Sequence, residues 1–191
     1  MARFFTADLH LGHRNIIEYA ERPFRGVNEM NEALVRKAWA VVGQDDELWV
    51  LGDLALGSLD ESLAVASRLP GKKTLIVGNH DRPFRFEPGP KRDAQIARYE
   101  DAGFTVITDS WIEDEIAGHP VLLSHFPYIG DSHDGDRYTA QRPVDAGLPL
   151  IHGHVHTAWG RRGREFNVGV DTNFFAPVSE KVLAHWLEAR K

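Results

Sequence analysis

Five short apolar runs in this chain each break off into a small cluster of glycine, carboxylate, amide or imidazole residues, and that recurrence limits the possible folds more than composition does. Arg3 to Ala7 (RFFTA) leads into Asp8-Leu9-His10, Glu47 to Leu51 (ELWVL) into Gly52-Asp53, and Lys73 to Val77 (KTLIV) into Gly78-Asn79-His80-Asp81. Val121 to Ser124 (VLLS) leads into His125, and Leu148 to Ile151 (LPLI) into HGHVH, which carries Gly153, His154 and His156. Phe104 to Ile107 (FTVI) is a further run of the same kind. Runs this short and this apolar predict strands without a wet face, so layers are expected on both sides.

Helical spacing fills the gaps. Met30, Leu34, Ala38 and Val41 recur on one face of Asn28 to Val42, with Asn28 as N-cap and Gly43 as the stop. Asp60 to Leu69 opens on a capping residue and ends at Pro70-Gly71, Lys91 to Ala102 ends at Gly103, and Ser179 to Arg190 reads as a closing helix. The order β-α-β-α-β-α-β predicts an α/β fold with a largely parallel sheet, followed by a β-richer half from Phe104 to Val170. A length of 191 residues, with 42% hydrophobic and 26% charged, suits a single domain over 1–191. With no cysteine, disulfides and thiolate chemistry are excluded, and any metal must take nitrogen and oxygen ligands. A net charge of -6 argues against an extended nucleic-acid partner held through its phosphates. No leader pattern and no run near the roughly 20 apolar residues of a membrane span are visible, so a cytoplasmic protein with no membrane partner is expected.

Every polar cluster follows a strand, at the edge where open α/β sheets bind ligands. Imidazole with carboxylate suits zinc, iron, manganese and similar ions, and a carboxylate can bridge two of them. Gly52, Gly78 and Gly153 each precede a candidate ligand, where a residue without Cβ lets the chain turn sharply.

The ordered set D-x-H, G-D, G-N-H-D, S-H-x-P and G-H-x-H resembles the calcineurin-like metallophosphoesterase superfamily, over Asp8 to His156. The resemblance implies a sandwich of two mixed β-sheets flanked by helices. It also implies two divalent transition-metal ions (Mn, Fe, Zn or Ni). Asp8, His10 and His156 would hold the first, Asn79, His125 and His154 the second, and Asp53 would bridge. His80 would stay off the metals and act on the substrate. The implied activity is phosphate-ester hydrolysis by a metal-activated hydroxide, with a small phosphate ester or nucleotide as substrate, and a phosphodiesterase is favoured. A phosphomonoesterase or a nuclease on the same site are alternatives. A non-catalytic scaffold is a reading of another class, opposed by the full ligand set and His80.

One departure stands out. Where the protein Ser/Thr phosphatase branch carries an aspartate that orients this histidine, the chain has Leu56, leaving Asp81, a distant carboxylate or no partner for His80. His13 and Arg14 follow the first motif within reach of a bound phosphate, and Arg82 is a further candidate contact. The long polar stretch Phe126 to Pro143 carries Tyr128, His133, Arg137 and Tyr138, which could shape a substrate pocket but are each expected in solvated loop; its Asp131, Asp134 and Asp136 lack the spacing of a calcium loop. His152 is expected to pack or back a ligand. Trp39, Trp49 and Trp111 are expected in the core, and Lys72-Lys73 and Arg161-Arg162 on solvated turns.

Overall fold

A helix between successive strands carries the chain back across the sheet and so allows parallel pairing, and four strands pair this way in the computed structural model, which describes residues 1–190. Strands β1 (Arg3–Thr6), β2 (Glu47–Leu51), β3 (Lys72–Ile76) and β4 (Phe104–Ile107) lie side by side in sequence order. Between them run α1 (Ile16–Tyr19), α2 (Val27–Trp39), α3 (Leu59–Ala66) and α4 (Pro90–Asp101). The second sheet comprises β5 (Trp111–Ile116), β6 (His119–Ser124), β7 (Leu150–His152), β8 (Arg161–Arg162) and β9 (Glu165–Asn167), in the order β5-β6-β7-β9-β8. β10 (Val178–Ser179) returns antiparallel beside β1, and α5 (Glu180–Glu188) closes the chain. The result is two five-stranded sheets, both mixed, with helices flanking.

Strand parity divides the core. Phe5, Leu51 and Ile76 point toward Leu123, Ile151 and Phe166 of the other sheet, and Leu183 and Trp186 of α5 join them. Phe4, Leu48, Val50 and Leu75 point the opposite way, onto Met30, Leu34, Leu63 and Tyr99 of the helices. On the outer face of the second sheet, Leu122 and Leu150 are covered by Tyr128 from the long loop and by Leu148 just before β7.

Several sequence expectations need correction. α2 starts at Val27 after Gly26, so Asn28 lies inside it, and Val41 is exposed while Val42 is buried, because the helix ends at Trp39. Trp39 and Trp111 are 51% and 41% exposed rather than core, since each falls on the solvent parity of its element. Lys72 and Lys73 begin β3 instead of a turn, and Lys73 Nζ lies over the Phe104 ring, 5.5 Å from its centroid. Arg161 and Arg162 form β8; Arg162 stacks on Trp159 at 3.8 Å. β5, sequence WIEDEI, lies outside the apolar runs: alternate residues face water, as in an antiparallel strand with one wet side. Among the described residues no helix is long and apolar enough to cross a membrane.

Candidate metal centre

The carboxyl ends of the two sheets meet, and the backbone there is held in an unusual state. Past β1 and β2 the chains stay paired, with Asp8 N donating to Gly52 O, His10 N to Asp53 O and Leu11 N to Leu54 O. A parallel bridge from Ala7 to Gly169 ties this edge to the segment that follows β9. Among the described residues ten non-glycine positions have positive φ, and five of them are Asp8 (58°), His10 (49°), Asp53 (55°), His154 (71°) and His156 (46°). Asp and His tolerate this region better than most residues, yet each instance is uncommon, and strain of this kind concentrates at functional sites.

The glycines serve space as much as turning. Gly52 is left-handed (φ +86°), but a Cβ on Gly78 would lie 2.4 Å from Asp53 Oδ1, and one on Gly153 2.7 Å from Asp8 Oδ2. Side chains at these places would displace the candidate ligands themselves.

Two overlapping groups have ligand atoms close enough to share an ion: Asp8, His10 and His156, and Asp8, Asp53 and His125. Asp8 is common to both groups, and Asp53 Oδ2 lies 3.5 Å from His125 Nε2 of its own group and 3.6 Å from His10 Nε2 of the other. Asn79 Oδ1 is 3.1 Å from His125 Nε2. His154 belongs to neither group, although it lines the same pocket. Both ring nitrogens of His10 are buried without a hydrogen-bond partner. A buried unpartnered polar atom costs about 1–3 kcal/mol, and a cation at this point would remove that cost. The donor set, imidazole with carboxylate and amide, fits a first-row divalent ion. These buried Asp and His groups could therefore hold metal.

Charge is distributed unevenly among them. Burial pushes Asp8 up to about 6 against the pull of His156 and His125. Burial acts upward on Asp53 as well, but His125, His10 and His80 hold it well below the usual carboxylate range. The Asp53 carboxylate correspondingly overcomes burial at His125, raised to about 9, while burial holds His10 well below the ordinary imidazole value.

Behind the ligands stands a set of residues that the sequence did not reveal. His156 Nδ1 is 2.8 Å from Asp171 Oδ2, and Arg22 grips Asp171 through Nε (2.7 Å) and Nη2 (3.0 Å). Arg22 also donates to the carbonyls of Asp8 (2.7 Å) and Leu9 (3.0 Å). A carboxylate behind a ligating imidazole fixes its tautomer and rotation. Asp171 repeats the pattern of an apolar run ending in a carboxylate, in FNVGVD, and could have been found that way; Arg22 carries no such signal. Asn167 donates to the carbonyls of His156 and Trp159 and so shapes the loop between them. Asp81 does not orient His80: its carboxylate accepts from the amides of Gly78 (2.9 Å), Asp53 (2.9 Å) and Leu54 (3.1 Å), bracing the Asp53 loop.

These residues open onto a pocket of about 300 Å³. His80 stands at its wall with Nε2 4.0 Å from Asp53 Oδ2. His13, Ile16, Tyr19 and Ala20 form one side, and Ser132, His133 and Arg137 of the long loop form another. Arg14 lies elsewhere, exposed in a groove with Arg25 at the start of α2. His152 is buried, its Nδ1 donating to Gly153 O (2.7 Å), which agrees with a packing role. The loop is less solvated than expected. Tyr128 is buried, and Tyr138 packs against Phe84, Phe126 and His154.

No family model matches the chain. Relatives are nevertheless clear. A Gene 66 protein of Mycobacterium phage L5 is 39% identical over 183 residues, covering 88% of this chain and 86% of the relative. A Gene 66 protein of Mycobacterium phage D29 is 34% identical over 177 residues, covering 88% and 87%. Among solved structures, a protein of unknown function, AQ665 from Aquifex aeolicus, superposes with a TM-score of 0.73 at 28% identity over 97% of this chain and 98% of its own. On the extent and identity of these matches, the chain belongs to the family of the mycobacteriophage Gene 66 proteins.

Proposed function

We propose that the chain is a metal-dependent phosphoesterase of the calcineurin-like superfamily, with a dinuclear centre, acting on a small phosphodiester. The observation that carries this reading is the pair of overlapping ligand groups around Asp8 and Asp53, with five candidate ligands held at positive φ. Asp8, His10 and His156 would hold one ion, Asn79, His125 and His154 the other, and Asp53 would bridge. Bound divalent ions would supply Lewis acidity toward a phosphoryl oxygen and acidify a water at neutral pH.

The chain's own residues supply the rest. Asp81 and its three amide donors keep the Asp53 carboxylate aimed between His10 and His125. His80 Nε2 faces the pocket beside Asp53 and holds the proton offered to the leaving oxygen, a role for which general acids contribute about 10²–10⁴-fold. Burial lowers the His80 pKa, and the Asp53 carboxylate opposes that shift by favouring the protonated imidazole that the acid role requires. A pocket of about 300 Å³ lies at the small end for ligand sites, which with the net charge of -6 favours a small substrate over a polymer.

The test is hydrolysis of bis-p-nitrophenyl phosphate beside p-nitrophenyl phosphate by chelator-stripped protein reloaded with manganese, zinc, nickel, iron or magnesium in turn. Restored turnover of the diester supports the reading. Preference for the monoester moves the substrate to phosphomonoesters, and silence with every metal removes the phosphoesterase assignment.

A further inference from the structure

The two histidines of GHVH are each backed by a carboxylate that an arginine grips, and the two arrangements differ in where they are built. Behind His156 the pair is Asp171 and Arg22, both with fully buried side chains. Behind His154 the pair comes from the long loop. Asp131 Oδ2 lies 3.2 Å from His154 Nε2, and Arg137 grips that carboxylate through Nε (3.0 Å) and Nη2 (2.7 Å). The Asp131 side chain is fully buried, whereas that of Arg137 is 49% exposed and lines the pocket.

This contact has the marks of a built feature. His154 Nε2 is buried and has no aligned hydrogen-bond partner among the described residues, and the Asp131 carboxylate faces it at 3.2 Å. With Nε2 turned to a carboxylate, Nδ1 is the nitrogen that remains for a ligand. The loop that delivers Asp131 is itself organised. Arg142, nearly buried, donates to the carbonyls of Pro127, Gly130 and Arg137, and Tyr138 holds a left-handed conformation (φ 58°) against His154.

We propose that Asp131, held by Arg137, is the positioning residue for His154, so that the second metal position is completed by the surface loop while the first is built wholly from buried network. The proposal rests on the two-metal reading above. It predicts two ions of unequal affinity, the weaker one sensitive to the loop.

Calorimetric titration of Mn²⁺ into chelator-stripped protein tests this, with wild type, Asp131→Asn, Arg137→Gln and Asp171→Asn compared. Wild type takes up two ions. Asp131→Asn and Arg137→Gln leave the first unchanged and weaken the second about 10–100-fold, the usual cost of losing an outer partner of a metal ligand. Asp171→Asn weakens the first instead. Arg137 is half exposed, so Arg137→Gln keeps the test open should Asp131→Asn fail to fold; melting of the metal-free proteins checks this directly. Unchanged binding in Arg137→Gln and Asp131→Asn, or equal weakening of both ions, overturns the proposal while leaving the two-metal reading intact. Wild type that binds no ion removes both.

Discussion

Replacing Arg22 by methionine keeps an unbranched apolar stem and removes every side-chain donor. In the native protein the guanidinium spans Asp171 through two hydrogen bonds of 2.7 and 3.0 Å and the carbonyls of Asp8 and Leu9 through two more, with no side-chain exposure. Burial pushes the Asp171 carboxyl up, yet His156 and Arg22 hold it below the usual range, so it is a charged group inside the protein. After Arg22→Met that charge has His156 alone, and two carbonyls lose their partner. Removing one member of a buried ion pair costs about 3–5 kcal/mol. At about 2–4 °C per kcal/mol for a chain of this size, Tm should fall by about 6–20 °C. Urea unfolding followed by tryptophan fluorescence measures the loss, and the double variant Arg22→Met/Asp171→Asn should be more stable than the sum of the two single losses. A loss under about 1 kcal/mol, or strict additivity, would refute the view that this pair holds the edge of the centre.

Three other outcomes follow from the same geometry. Gly153→Ala places a methyl 2.5 Å from Ala7 Cβ and 2.7 Å from Asp8 Oδ2, so it should cost about 1–3 kcal/mol in stability and weaken metal uptake as well; normal metal titration would show that the strand end can yield. Asp81→Asn sets an amide NH₂ against backbone N–H donors that now share its carboxylate and should destabilise by about 1–3 kcal/mol, read by denaturation. His80→Ala should keep its metals and lose rate about 10²–10⁴-fold on esters with poor leaving groups but less on nitrophenyl esters, and equal losses on both would contradict the acid role.

Much of this was legible because the strands are short, apolar and terminated by polar clusters. β1 to β4, β6 and β7 follow from their apolar runs, and the placing of Asp8, Asp53, Asn79, His125 and His154 at one rim follows from where those runs stop. β5 was hidden because alternate residues of WIEDEI face water, so it lacks the apolar continuity of the others. Outer partners were harder for a different reason. Asp171 and Asp131 act across separations of 15 and 23 residues from the histidines they back, and Arg22 acts 149 residues from Asp171, so only the closed fold brings these charges together. The long loop was misjudged on its polarity. Its charged residues are spent on one another, with Arg142 and Arg137 satisfied by loop carbonyls and carboxylates, which lets Tyr128 and Tyr138 pack inward.

The most direct measurement is anomalous diffraction from crystals equilibrated with manganese. Two peaks about 3.5–4 Å apart, on either side of the Asp53 carboxylate, are the predicted result. One peak on Asp8, His10 and His156 with none near His125 would contradict the dinuclear centre, and no peak at this edge would contradict the metal reading altogether.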